Sequence, residues 1–298
     1  EGIADPILLG RKEVIIDLME SIDFDQDSVQ ILDPKSLEER EIKNHYANLY
    51  WENQKRKGVT EYEAKSVMRE RNYFASMMVK TGDADAMLSG YSRNYASVVK
   101  PVMSIIGKAK GVTRIAATNM MLTDRGPLFL SDTSINIDPT AKELAKIAYM
   151  NAQVVEMFGF KPVTAMITFA NFGASNHPGV KKVSDAVDYL HRYYPDLEVD
   201  GPLQSDFALN KEMLAEKFPF SELVKKNVNT LIFPNLESAN ITYKLLKELN
   251  GAQSVGPILL GLEKAVHVLQ LGASVDEMVN MAAVAVVDAQ QKQLKEQL

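Results

Sequence analysis

The stretch at residues 82–106, GDADAMLSGYSRNYASVVKPVMSII, decides the reading of the fold. An acidic turn, Gly82-Asp83-Ala84-Asp85, leads through Ala86-Met87-Leu88 into the small pair Ser89-Gly90. The polar, basic segment Ser92-Arg93-Asn94 follows, and then Val98, Val99, Val102, Ile105 and Ile106 recur at helical spacing. The pattern predicts a buried strand, a tight turn and a helix. That geometry sets backbone N–H groups and basic side chains beside an anion. An ordinary strand–turn–helix unit with no ligand satisfies the same spacing.

Outward from this stretch the chain repeats the theme. Upstream, Pro6-Ile7-Leu8-Leu9-Gly10 reads as a strand entering a turn, and Val29-Gln30-Ile31-Leu32-Asp33 as a second. A fold rarely opens so abruptly on a buried strand, so a missing preceding helix and a longer parent polypeptide are expected. Residues 38–57 read as a helix ended by Gly58, and Thr60 with Glu63 has the spacing of a capping box. Met68, Met77 and Met78 read as core filler. Downstream, Gly107, Lys108, Lys110 and Gly111 mark a crossover linker. Residues 112–122 and 127–130 read as strands, and Asp138 and Pro139 as the cap and first position of a helix. Residues 163–169 read as an interior strand emptying into Ala170-Asn171-Phe172-Gly173-Ala174-Ser175-Asn176-His177, a loop of small and amide residues. Such loops, at the carboxyl ends of parallel strands, are where α/β sheets bind ligands. Ser274 with Glu277 again has capping-box spacing. The alternation of strands and helices predicts an α/β fold with a mostly parallel sheet in each of two domains.

Composition narrows the function classes. The 298 residues carry a net charge of −6, which argues against a general nucleic-acid binder but not against a local cationic cluster. Arg93, Lys100, Lys108 and Lys110 form such a cluster in sequence, the last two being equally at home on a solvated helix face. No apolar run approaches the roughly 18 residues of a membrane span. The absence of cysteine removes disulfides and thiolate metal sites, and the cytoplasm is the expected compartment. His45, His177, His191 and His267 show no ligand spacing, so no metal site is expected, and His177 alone sits in a candidate ligand loop. Dinucleotide, P-loop, zincin and nucleophile-elbow signatures are missing.

Four segments together carry a resemblance: residues 82–106, 168–175, 200–206 with 230–244, and 256–289. DGPLQSD, LIFPNLESANITYK and GPILLGLEKAVHVLQLGASVDEMVNMAAVAVVDAQ are its most specific parts. In order and separation they resemble the phosphate acetyltransferase/butyryltransferase family, whose members move an acyl group between coenzyme A and phosphate. The resemblance implies two α/β subdomains of the phosphotransacetylase, isocitrate-dehydrogenase-like kind, with an interdomain cleft. The expected division is residues 1–110 plus 255–298, against 111–254.

The departures from the family pattern carry as much meaning as the matches. The resemblance implies a catalytic serine and arginine where this chain has Gln270 and Leu271, and a cysteine at Ala273. It also implies an aspartate at Glu277 and arginines at Gln54 and Lys100. Acyl transfer to phosphate must stabilise developing negative charge, and losing one such donor typically costs about 10²–10³ in rate. Neither glutamine nor leucine offers the bidentate fork of arginine. No catalytic residues are therefore expected. A shell for acetyl-CoA remains in Ser89, Gly90, Arg93, Lys100, Asn171, Phe172, Gly173 and Ser175. DADAMLSGYSRNY and HVLQLGASV resemble one branch, the phosphotransacetylase-like C-terminal domain of multidomain NADP-dependent malic enzymes. That branch implies a non-catalytic module that binds acetyl-CoA as an effector and inhibits malate decarboxylation in an attached domain. NADP and a divalent metal would belong to that upstream domain only, and dimer contacts would run through this module. An active phosphate acyltransferase and a purely structural oligomerisation domain are the alternatives.

Overall fold

The computed structural model describes residues 2–92, 95–250 and 253–297. By internal packing the chain forms two compact units. The first collects Glu1–Gly107, Glu263–Ala273 and Ala282–Leu298, and the second Lys108–Leu262 with Ser274–Met281.

In chain order the first unit begins with β1 (Ile7–Leu9), α1 (Lys12–Ser21), β2 (Gln30–Leu32), α2 (Arg40–Gln54), α3 (Glu61–Val67), α4 (Arg71–Thr81), β3 (Ala86–Ser89) and α5 (Tyr95–Ile105). The second unit runs through β4 (Ala116–Thr123), β5 (Gly126–Ser131), α6 (Ala141–Met157), β6 (Val163–Ile167), α7 (Pro178–Tyr193), β7 (Glu198–Leu203), α8 (Ser205–Leu209), α9 (Lys211–Lys217), β8 (Thr230–Ile232), α10 (Leu236–Asn250) and β9 (Ser254–Leu260). β10 (Ala265–Val268) and α11 (Val275–Gln297) come last.

Local chemistry explains most of the helix starts. Thr60 and Glu63 make the expected reciprocal cap on α3, and Gly58 adopts the left-handed conformation that ends the preceding helical run. At α6 the cap is Thr140 with Glu143 rather than Asp138. Thr140 accepts from the Glu143 N–H while Asp138 is held by the Lys182 ammonium, so the helix starts two residues later than the Asp-Pro pair predicts.

In the second unit the described strands form one sheet in the order β7-β6-β8-β5-β4-β9. β6, β7, β8 and β5 run parallel, while β4 is antiparallel to both β5 and β9. All five residues of β6 are buried, so both faces of the sheet are covered. Alternate residues feed two cores. Ala165, Ile167 and Leu231 pack with Ala208, Leu214 and Tyr243 of α8 to α10, whereas Met166 and Ile232 pack with Leu144, Val183 and Leu190 of α6 and α7. β9 was expected in the first unit by sequence. Its pairing with β4 places it in the second, and the chain crosses back at Glu263 rather than at residue 255. The strand expected from residue 112 begins at Ala116.

In the first unit, β1 pairs with β2 and β3 with β10, both in parallel. Tyr46, Met68, Phe74, Met77 and Met78 of α2 to α4 form its core, as the methionine reading predicts. The acidic turn of the opening stretch fastens this unit together. Gly82 ends α4 in a left-handed conformation, and the Asp83 carboxylate accepts the Tyr46 hydroxyl of α2 at 2.7 Å. Burial, then the bond to Asp83, pushes the Tyr46 phenol well above its ordinary range. Asp85 accepts from Gln293 of α11 at 2.8 Å.

Candidate functional site

The carboxyl ends of β3 and β10 bring two of the predicted stretches side by side. Their register pairs Ser89 with Val268, and the Leu269 N–H then donates to the Ser89 carbonyl at 2.7 Å. Gly90 sits at φ 114°, and a Cβ there would stand 2.6 Å from the Leu269 carbonyl oxygen. Only glycine allows this approach. The turn at Ser89 and Gly90 is thus pinned one residue before Gln270 and Leu271. At those positions the side chains offer no fixed cation: Leu271 is 67% exposed and apolar. The N–H of Ala273, itself buried, donates back to the Gln270 carbonyl, closing a turn through Gly272.

Two further groups in this unit are already engaged. The Ser89 hydroxyl donates to the Asn72 side-chain carbonyl at 2.7 Å, and Asn72 is buried on α4. Nothing in the sequence singles out Asn72. Gln54 is buried at the end of α2 and donates to the Ser104 carbonyl at 2.7 Å, cross-linking α2 to the last turn of α5. That bond gives Gln54 a packing role of its own. Lys100 is exposed on α5, and Arg93 lies outside the described residues. Beside the Ser89–Gly90 turn runs a cleft of about 820 Å³ lined by β1, β3, Leu269 and α11.

In the second unit the loop after β6 is held by an amide clasp. Asn171 donates to Gln204 Oε1 at 2.7 Å and accepts from the Gln204 N–H at 2.7 Å. Gln204 in turn donates to the Phe169 carbonyl at 2.9 Å. Gln204 was missed as a site residue, although DGPLQSD, which contains it, stood out in sequence. Phe172 has a positive φ of 26° and packs its ring on Phe218 and Phe220, while its N–H donates to the Pro202 carbonyl. Asn171 and Phe172 therefore shape the loop. Gly173 is exposed, and Ser175 accepts from the His177 N–H at 3.2 Å. His177 caps α7 through Nδ1, which gives the loop histidine a structural task.

Glu277 is also committed. It completes the predicted capping box with Ser274, accepting the Ser274 N–H at 2.9 Å, and it pairs with the Lys247 ammonium at 2.7 Å. Burial opposes its ionisation, but the Lys247 and Ser274 contacts outweigh that and hold the carboxyl below its usual range. Among the described residues no group of three or more His, Asp or Glu side chains could hold a metal ion, and no helix is long and apolar enough to cross a membrane.

Comparison with known proteins places this architecture. Residues 1–286 match the model of the phosphate acetyl/butaryl transferase family. The chain is 36% identical, over 98% of its length, to the NADP-dependent malic enzyme of Haemophilus influenzae, of which it spans 38%. It is 34% identical, over 97% of its length, to the phosphate acetyltransferase of Clostridium acetobutylicum, of which it spans 88%. The phosphotransacetylase of Streptococcus pyogenes superposes with a TM-score of 0.85 at 33% identity, over 97% of this chain and 86% of that one. Family model, relatives and fold agree: the chain belongs to the phosphate acetyl/butaryl transferase family.

Proposed function

We propose that this chain is a catalytically degenerate member of its family, a regulatory domain that binds acetyl-CoA and inhibits malate decarboxylation in an attached NADP-dependent malic enzyme domain. The observation that carries this reading is the turn after β10. Where acyl transfer needs a hydroxyl and a guanidinium, the chain presents Gln270 and an exposed Leu271, beside an intact Ser89–Gly90 turn. The likeness to malic enzymes at 36% identity, covering 38% of the Haemophilus influenzae protein, supports a multidomain parent. Ser89, Gly90, Arg93 and Lys100 are the ligand contacts proposed for the first unit; for the second unit, taken by itself, Gly173 and Ser175 are the proposed ligand positions of the loop after β6. Asn171 and Phe172 act by holding that second loop in shape. An effector shifts activity only through different affinities for two states, so inhibition requires that acetyl-CoA prefer one arrangement of the parent enzyme. NADP, the divalent metal and the homodimer are assigned to that parent.

Two measurements test this reading. Calorimetry and thermal melting with acetyl-CoA should show saturable binding and a rising melting temperature, since ligand binding stabilises by mass action. No heat and no stabilisation at millimolar acetyl-CoA would leave only the structural oligomerisation role. A coupled assay of acetyl phosphate and coenzyme A should show no turnover. Rates on the order of 1–10³ s⁻¹, ordinary for enzymes, would instead make the chain a working acyltransferase, the activity named for its Clostridium relative.

A further inference from the structure

The first unit holds a second groove, of about 840 Å³, at the carboxyl ends of β1 and β2. Its charge runs against that of the chain. Arg11, Lys35, Arg69 and Arg71 line it, in a protein whose net charge is −6. Among the described residues none of these four side chains makes an ion pair or donates a hydrogen bond. The two acids of the lining each accept backbone N–H groups. Glu70 caps α4, accepting the N–H groups of Asn72 and Tyr73 at 3.0 and 3.3 Å. Asp33 accepts the N–H of Lys35 at 2.9 Å. Lys43 lies behind them, donating to the Pro34 and Ser36 carbonyls, with its ammonium destabilised first by burial and then by Arg69. The lining thus sets four cationic side chains against two carboxylates, an excess of positive charge.

The backbone adds to this field. Gly10 carries the chain from β1 directly into α1, whose N-cap residue, Arg11, supplies no side-chain cap. The guanidinium of Arg71 lies 3.8 Å from where a Cβ on Gly10 would stand, so arginine and helix N-terminus converge on one turn. Strand, glycine turn and uncapped helix at the carboxyl end of a parallel pair form the arrangement that α/β proteins use for phosphates. The lining also has an apolar part: Val14 and Leu18 of α1, which are 39% and 62% exposed. Arginines together with apolar side chains, in a groove of this size, fit a ligand with an anionic head and a flat apolar body.

We propose that this groove binds the diphosphate of a nucleotide, with Arg11, Arg69 and Arg71 on the phosphates and the base against Val14 and Leu18. The nucleotide can be free or the nucleotide end of a coenzyme, because the groove shares Leu8, Leu9, Glu70 and Arg71 with the cleft beside Ser89 and Gly90. The probes are ADP, with pyrophosphate as the head alone and adenosine as the body alone. ADP should bind saturably and more tightly than either fragment, and more weakly as salt rises. Each of Arg11→Gln, Arg69→Gln and Arg71→Gln should weaken ADP by about tenfold, through loss of one charge-assisted contact. All three side chains are exposed, so melting temperatures without ligand should not move. Leu18→Asp should weaken ADP while leaving pyrophosphate less affected. Absence of ADP binding at millimolar concentration, or equal affinity in the triple arginine variant, would overturn the proposal.

Acetyl-CoA separates the two sources. If it loses affinity in parallel with ADP and the two compete, the groove holds the nucleotide end of the coenzyme. If it binds the triple variant unchanged and alongside ADP, the ligand is a free nucleotide. ADP binding without acetyl-CoA binding would remove the proposed regulatory function and keep this site. Acetyl-CoA binding without ADP binding would do the reverse.

Discussion

Gly90 shows how much one missing side chain can decide. A methyl group there would stand 2.6 Å from the Leu269 carbonyl oxygen and 2.8 Å from Val268 Cγ1, on a backbone at positive φ. Gly58 has a similar φ of 91° but nothing within 4 Å, so it separates the conformational penalty from the steric one. We expect Gly58→Ala to cost about 1 kcal/mol and Gly90→Ala roughly 2–4 kcal/mol, because only the second must also push strand against strand. Chemical denaturation of the two variants checks this, and equal losses would show that β10 gives way freely. The turn at Ser89 and Gly90 was legible in sequence, since a small pair between an apolar strand and an amphipathic helix is a turn. Its neighbour was not: nothing in the residues themselves places Leu269 against Ser89. Asn171 was likewise visible as a loop amide, yet its consumption by Gln204 depends on two strand ends that only the folded sheet brings together.

Among the elements, α11 is held at its start by an acid that the family pattern alone would have assigned to chemistry. Glu277 caps the helix and meets Lys247 of α10, and its carboxyl lies below the ordinary value of 4.5. A depressed carboxyl contributes stability above its unfolded pKa and loses it as pH falls through the folded value. Glu277→Gln should therefore cost roughly 0.5–1 kcal/mol of stability at neutral pH for a partly exposed pair, read as a lower urea midpoint. The difference from the unaltered chain should vanish once the pH drops below that range. A gap that persisted in acid would assign the effect to packing instead of charge. The capping boxes of α3 and α11 were readable because their partners lie three residues apart. The start of α6 was misread because Asp138 has a long-range partner, Lys182, which leaves the cap to Thr140. β4 was recognisable as a strand, but its antiparallel setting was not: an apolar run looks the same in either direction.

At the scale of the whole molecule, the first unit is assembled from both ends of the sequence. β3 obtains its partner from β10, and Asp85 its contact from Gln293 on α11. A chain cut after Leu262 should lose the structure of its first 107 residues. The second unit should keep the strands of its sheet, all of which lie before the cut. Limited proteolysis and circular dichroism would show this as rapid cleavage confined to the leading segment, and a protease-resistant leading segment would contradict the topology. That return of the chain was foreshadowed by the family resemblance rather than by any local pattern, because no short-range signal pairs strands so distant in sequence.

The β3–β10 pair has a consequence for the order of events during synthesis. Val268 leaves the ribosome roughly 180 residues after Ser89, which at ordinary elongation rates is on the order of 10–40 s. During that interval the strand that shapes the candidate site has no partner on that edge, and by its end every strand of the second unit has emerged. The sheet of the second unit can therefore form before the first unit closes, and the Ser89–Gly90 turn stays unfinished until β10 arrives, a window in which a chaperone has an apolar edge to hold.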